Sequence, residues 1–283
     1  MLINYKLVNI YQETLEVLHN VNLQIEKGEF AYIIGKVGSG KSSLLKTIYG
    51  ELAIKEGDAQ VLNYNMKKLR RKHLPKLRKR LGIIFQDFQL LTDRTVEANL
   101  RFVLQATGWK NKHEIKNRIE SVLNMVGMST KGYKYPNELS GGEQQRIAIA
   151  RAILNEPDII LADEPTGNLD VETGNKICEL LHKICGKGST VVMVTHNVKL
   201  LDLYPGRVFQ CVDHKFMEIT HKDDIHSVIE KIKRDEEIDN EVDRQKRIKE
   251  AIAENAAEIN TKANSDEEND NSETSTTTNI DNK

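Results

Sequence analysis

Apolar and polar positions alternate over the first 25 residues. Ile3, Tyr5, Leu7 and Asn9 fall on one face with Val8 and Ile10 opposite, and Val17 to Ile25 repeats the pattern. Period two marks strands covered on one side, so an antiparallel β layer is expected here, closed by the turn Glu26-Lys27-Gly28-Glu29. Glu56-Gly57-Asp58 reads as a second turn, followed by a short strand through Val61. Four later runs are apolar with little alternation: Phe30 to Ile34, Leu81 to Phe85, Ile159 to Asp163 and Thr190 to Thr195. Such runs fit parallel strands buried on both faces. Helical spacing runs from Ser43 to Tyr49, and recurs from Val96 to Ala106, Glu114 to Val126 and Val171 to Cys185. The last of these is the crossover of a βαβ unit. Ser140 or one of its neighbours is expected to cap a further helix through Leu154, and Pro157 bars its continuation.

Lys67 to Arg80 is strongly basic and reads either as the solvated face of a helix or as a surface for anionic lipid headgroups. Beyond Thr220 the character changes. Ile225, Val228, Ile229 and Ile232 mark one amphipathic stretch, and Val242, Ile248 and Ile252 a weaker one. From Asn264 the chain is polar and acidic, with too little apolar surface to offset the entropy of ordering. Three segments are therefore expected: a folded domain over 1–220, a charged and partly helical extension over 221–262, and a disordered acidic tail over 263–283.

Charge sharpens that division. The formal net charge of −1 hides about 10 basic and 18 acidic residues after position 220, which leaves the body near +7. A mildly basic body suits phosphate ligands or a membrane surface and does not by itself call for nucleic acid. Cys178, Cys185 and Cys211 have no redox or metal spacing and read as free thiols in a reducing compartment. No apolar run approaches the roughly 18 residues of a membrane span, and the first residues are no signal peptide. A cytoplasmic chain is expected, held at a membrane only through a partner.

The most specific stretch is Gly35-Lys36-Val37-Gly38-Ser39-Gly40-Lys41-Ser42, a phosphate-loop pattern set between a strand and a helix. Its glycines let the backbone wrap an anion at a helix N-terminus, where amides and the helix dipole favour phosphate. Lys41 adds a mobile charge, and the Ser42 hydroxyl is a ligand for Mg²⁺; Ser43 completes the candidate phosphate site. Asp163 closes a buried strand and suits Mg²⁺ binding through water, while Glu164 follows where a carboxylate could polarise an attacking water. His196 ends the next strand on the same ligand-binding edge. Leu139-Ser140-Gly141-Gly142-Glu143 forms a second glycine-flanked helix start built for an anion. Tyr11 lies between strands, where it could stack on a base or simply pack.

Taken in order, these motifs resemble the ATPase domain of ABC transporters across roughly Ile3 to Thr220. The resemblance adds Tyr11 as an adenine-stacking residue, Gln86 as a link between the metal, the water and a membrane partner, and Asn168-Leu169-Asp170 as an interface loop. It implies an α/β phosphate-loop NTPase fold with a mixed β core, an antiparallel β subdomain and a helical signature subdomain. It also implies ATP and Mg²⁺ as cofactors and a head-to-tail homodimer. Ser140, Gly141 and Gly142 of one copy would then meet the γ-phosphate held by Gly38, Gly40, Lys41 and Ser42 of the other, with Asp170 crossing the interface. The words Phe85-Gln86-Asp87-Phe88-Gln89-Leu90-Leu91, Arg94-Thr95-Val96 and Ala162-Asp163-Glu164-Pro165-Thr166-Gly167-Asn168-Leu169-Asp170 are similar to the cell-division subfamily FtsE. An FtsX-like integral membrane partner at the inner membrane surface and control of cell-wall hydrolysis are what that similarity implies.

Lipoprotein-release and macrolide-export ATPases share much of this vocabulary and form the alternative. Soluble relatives that act on ribosomes or DNA usually carry two ATPase halves or a long coiled-coil insert, and neither is present. Retained Glu164 and His196 argue against a scaffold with little hydrolysis. Val37 and Lys36 depart from the family pattern, Val37 removing a side-chain contact near the γ-phosphate.

Overall fold

The computed structural model describes residues 1–219 and, beyond them, single helical positions between 225 and 249. The chain divides into two compact units, Met1–Ile229 and Glu230–Lys283. In the second, Glu230, Lys231, Arg234, Arg244 and Lys249 are helical and exposed. Apart from the single positions just mentioned, the segments expected over 221–262 and 263–283 lie outside the described residues.

The first unit is built on a ten-stranded mixed sheet. Strands β1 (Ile3–Gln12), β2 (Leu15–Ile25), β4 (Asp58–Val61) and β5 (Tyr64–Asn65) form an antiparallel layer. Strands β3 (Phe30–Ile34), β6 (Leu81–Ile84), β7 (Ile159–Asp163) and β8 (Thr190–Thr195) are parallel, in the order β3-β8-β7-β6. Strand β9 (Arg207–Val212) extends that array beside β3, and β10 (Lys215–Ile219) turns back antiparallel to it and joins β2. All five residues of β3 and all six of β8 are buried, as expected of strands covered on both faces. The C-terminal ends of β3, β7 and β8 lie side by side. The residues that follow them make the site.

Over residues 1–219 the α-helices are α1 (Lys41–Ile48), α2 (Leu74–Lys79), α3 (Val96–Ala106), α4 (Lys112–Met125), α5 (Gly141–Ala152), α6 (Val171–Cys185) and α7 (Lys199–Leu203). The periodicity locates α3 and α6 at their observed ends and places α4 within two residues. Helix α5 stops at Ala152, two residues short of the expected Leu154. The β7-α6-β8 crossover joins neighbouring parallel strands as expected, and Cys178 and Cys185 both face the core as free thiols.

Two readings of the pattern need correction. The alternation of Ile3, Tyr5, Leu7 and Asn9 on one face fails at Leu7, which is 61% exposed while Val8 and Ile10 are buried. Leu7 has a φ of 51°, and the β1–β2 register shifts between Tyr5 and Val8. This bulge changes which face later side chains take. The Leu7 N–H donates to Asn22 Oδ1 at 3.1 Å, which satisfies the backbone group displaced from the ladder. The neighbouring turn is built into the same place. A Cβ on Gly57, at φ +77°, would lie 2.3 Å from the Leu7 carbonyl oxygen.

The second correction concerns Lys67 to Arg80, which is no continuous helix. Two 3₁₀ turns, Met66–Lys68 and Arg71–His73, precede the six residues of α2. Several cations here are structural. Arg78 donates to the Tyr49 and Gly50 carbonyls, Lys79 to the Thr107 carbonyl, and Arg80 pairs with Asp158 at 2.8 Å. Arg80 and Asp158 thereby clamp the entry to β6 against the entry to β7.

Candidate functional site

The phosphate loop follows β3 and ends in α1. Gly38 and Gly40 have φ of 80° and 92°, in the left-handed region that favours glycine. Gly35 is required for a different reason: a Cβ there would lie 2.4 Å from the Cys211 carbonyl oxygen on β9. The loop thus turns back hard against the sheet. Lys41 opens α1, and its Nζ donates to the Gly35 and Lys36 carbonyls at 2.8 and 2.7 Å. Val37 at the tip is 86% exposed. Ser39 buries a hydroxyl with no hydrogen-bond partner, a polar group aimed within the loop. Space around Gly38, an orphaned hydroxyl and a helix start are what an oligophosphate would complete. Ser43 is buried behind them on α1.

Ser42 Oγ donates to Asp163 Oδ1 at 3.0 Å, so the two candidate metal ligands meet although 121 residues separate them. Burial pushes the Asp163 carboxyl above its ordinary value, against the Ser42 hydrogen bond and with the neighbouring Glu164 charge. Hard oxygen donors of this kind suit a divalent cation such as Mg²⁺. Glu164 is mostly buried and holds φ 48°, a conformation that costs a non-glycine residue energy. Its N–H donates to the Val194 carbonyl, and its Oε2 accepts from the His196 N–H at 3.2 Å and lies 2.9 Å from His196 Nδ1. The sequence placed these two on neighbouring strand ends; the structure joins them.

Gln86 follows β6, and its side-chain amide lies 3.6 Å from where a Cβ on Gly167 would stand, beside the Glu164 loop. The Asn168 amide donates to the Gln86 carbonyl at 3.0 Å. Beyond Gln86 the chain is held by residues the sequence did not single out. Arg151 donates to the Phe88 and Gln89 carbonyls. Asn99, nearly fully buried, donates to the Leu91, Arg94 and Thr95 carbonyls and accepts from the Leu91 N–H. The signal for Asn99 was an amide on the apolar face of α3.

Tyr11 is half-buried at the end of β1. Its hydroxyl donates to Glu16 at 3.1 Å and Glu56 at 3.4 Å, and Lys55 lies over its ring. The paired strand brings this hairpin to the phosphate loop, since a Cβ on Gly40 would stand 3.0 Å from Leu18. Ser140 caps α5 with a reciprocal box: its Oγ accepts the Glu143 N–H, and its own N–H donates to Glu143 Oε2. Gly142 is demanded by packing, because a Cβ there would lie 2.5 Å from the Thr173 methyl. Gly141 packs beside Leu169. Asp170 caps α6 by accepting the Thr173 N–H at 2.9 Å, so within one chain its carboxylate serves its own helix. The contacts of Ser140–Glu143 are thus with one another, with the start of α6 and with Lys131, whose Nζ lies 3.0 Å from Glu143 Oε1.

The model of the ABC transporter family matches residues 18–167, from β2 through the acidic pair. The chain belongs to the ABC transporter family. It is therefore an ATP-binding ATPase, converting ATP and water to ADP and phosphate. The cell division ATP-binding protein FtsE of Streptococcus pneumoniae serotype 2 is 43% identical over 201 residues, 71% of this chain and 87% of the relative. The methionine import ATP-binding protein MetN of Clostridioides difficile is 40% identical over 225 residues, 79% of this chain and 70% of the relative. Among solved structures, a dimeric post-hydrolysis state of the ATP-binding cassette MJ0796, bound to ADP and Pi, superposes with a TM-score of 0.68. It is 35% identical, and the match covers 77% of this ABC ATPase and 99% of the cassette. No helix among the described residues is long and apolar enough to cross a membrane.

Proposed function

We propose that this ABC ATPase works in cell division, pairing head to tail with a second copy and driving an FtsX-like integral membrane protein at the inner membrane surface. The observation that carries the division reading is the 43% identity to FtsE over 87% of that relative's length. In this reading Gly35–Ser43 cradle the triphosphate and Tyr11 stacks on adenine. Ser42, Asp163 and Gln86 hold Mg²⁺, whose chemistry is to offset charge on the β- and γ-phosphates. Glu164 accepts the proton of the attacking water, and His196 orients Glu164 and the γ-phosphate. Ser140, Gly141, Gly142 and Asp170 belong to the site completed by the second copy.

A groove next to Gln86 supports the coupling to a partner. It offers about 600 Å³ between α2, β6, α3 and α5, and its lining includes the apolar Ile83, Phe85 and Val103 and the cations Lys76 and Arg151. Anything seated there touches the residue before Gln86 and the arginine that holds the loop after it. Co-expression with a four-span FtsX-like protein tests the reading. The parent should co-purify with it in detergent, and Ala106→Arg, which fills the groove from an exposed position, should lower recovery at least about tenfold while the isolated ATPase rate holds. Recovery instead with a lipoprotein-release or macrolide-export type subunit would support the transport alternative. Equal recovery of Ala106→Arg would move the contact elsewhere.

We also propose that the acidic tail is no part of the catalytic unit, because every motif named above lies before residue 200. A chain cut after Lys262 should keep its ATPase rate and melting temperature. Loss of ATP-driven dimerisation on that cut would make the tail part of the engine.

A further inference from the structure

The first turn of α5 contains a contradiction. A helix start that is to receive the phosphate of a second copy carries a carboxylate, Glu143, at its third position. A carboxylate there draws on the same amides and the same positive helix end as a phosphate, and repels it. The structure shows how the conflict is resolved. Glu143 Oε2 is turned back to accept the Ser140 N–H at 3.0 Å, and Oε1 lies 3.0 Å from Lys131 Nζ. Both carboxylate oxygens are thus engaged away from the two glycine amides that a helix start leaves without intrahelical partners.

Lys131 is placed rather than free to wander. Its N–H donates to the Met128 carbonyl and its carbonyl accepts the Lys134 N–H. The next residues are stitched to the start of α3, where the Gly132 and Lys134 carbonyls accept the Glu97 and Val96 N–H groups at 2.9 and 2.8 Å. Lys134 pairs with Glu138, whose carboxylate caps the 3₁₀ turn Pro136–Glu138 just before α5, so the two lysines of this loop serve two different carboxylates. The Ser140 amide, and then Lys131, hold the Glu143 carboxyl below its usual range.

We infer that Lys131 is a positioning residue of the signature site: it offsets the Glu143 charge and keeps that carboxylate folded on the Ser140 amide, leaving the Gly141 and Gly142 amides and the Ser140 hydroxyl proton for the γ-phosphate on the second copy. The inference rests on the head-to-tail reading above. It makes a prediction that loop stability alone does not, because repulsion between Glu143 and phosphate is screened by salt and vanishes with the Glu143 charge.

The test uses the full chain on a Glu164→Gln background, with ATP-dependent dimerisation followed by light scattering at about 0.05 and 0.5 M salt. Lys131→Met should raise the ATP concentration for half-maximal dimerisation about three- to tenfold at low salt, with the gap closing at high salt. Adding Glu143→Gln to Lys131→Met should bring it back to within about twofold of Glu143→Gln alone, the expected sign of a coupled pair. A double variant as impaired as Lys131→Met, or a deficit indifferent to salt, would assign Lys131 to loop order and overturn the inference. So would a Lys131→Met chain that dimerises like its parent. A parent that binds ATP and stays monomeric at all concentrations would overturn the head-to-tail reading itself, and the inference with it.

Discussion

Replacing Glu164 with glutamine is expected to lower ATP turnover by about 10²–10⁴-fold while leaving nucleotide binding intact. The substitution keeps the shape of the loop. Glutamine adopts the same left-handed backbone at φ 48° as readily as glutamate, and its amide oxygen can still accept the His196 N–H. What it loses is the ability to take a proton from water. Binding should survive because the phosphate loop, Lys41 and the Ser42–Asp163 pair are untouched. The variant should therefore accumulate as an ATP-bound dimer, seen as a doubling of mass by light scattering on adding ATP. Phosphate release within a few-fold of the parent rate would show that another group is the base.

Mixing two inactive variants should restore activity, and this outcome separates a shared site from a self-contained one. Lys41→Ala removes the cation of the phosphate loop, and Ser140→Arg fills the start of α5 with a bulky side chain. In a head-to-tail dimer each site takes its loop from one copy and its helix start from the other. A mixed dimer then holds one intact site and one doubly damaged site. With equal amounts and random pairing half of the dimers are mixed, so the mixture should reach up to about a quarter of the parent rate. Each variant alone should fall to background. The fold should tolerate both changes, since the Lys41 bonds to the Gly35 and Lys36 carbonyls are local to its own loop and the Ser140 cap contributes about 1 kcal/mol. Melting curves check that. If mixed dimers form and no activity returns, the site does not combine Lys41 of one copy with Ser140 of the other.

The reciprocal position of these groups in one chain is consistent with that scheme. Ser140–Glu143 bind Lys131 and pack on Leu169 and Thr173, whereas Lys41 and Ser42 bind the loop after β3 and the end of β7. Glu143 and Lys131 show how charge is managed at the first of these places. Asp163 shows it at the second, where burial and the neighbouring Glu164 charge oppose its ionisation and the Ser42 hydroxyl favours it.

Much of this site was legible in the sequence because its parts are short and local. The phosphate loop is eight consecutive residues whose glycines answer a local backbone demand, seen here as φ of 80° and 92° at Gly38 and Gly40. Ser140 with Glu143 three residues later is a capping box, and the box formed. The apolar runs Ile159–Asp163 and Thr190–Thr195 could be only buried strands, and the residues at their ends had to share an edge. The rest depended on contacts between distant segments. Strand alternation placed Leu7 on the face of Ile3 and Tyr5, but at the bulge, where Gly57 approaches closely and the Leu7 N–H donates to Asn22, its side chain turns out. The basic run at Lys67–Arg80 read as the solvated face of a helix or as a surface for lipid headgroups, yet Arg78, Lys79 and Arg80 bind carbonyls and Asp158, from 28 to 78 residues away. Arg151 and Asn99 hold the loop after Gln86 by side-chain bonds to its backbone, a role with no periodic trace. Local sequence fixes φ, ψ and the face a side chain takes within one element. Which charges are neutralised, and which glycines leave room for a neighbour, is set by the order of strands in the sheet, and that order is decided only when the whole chain packs.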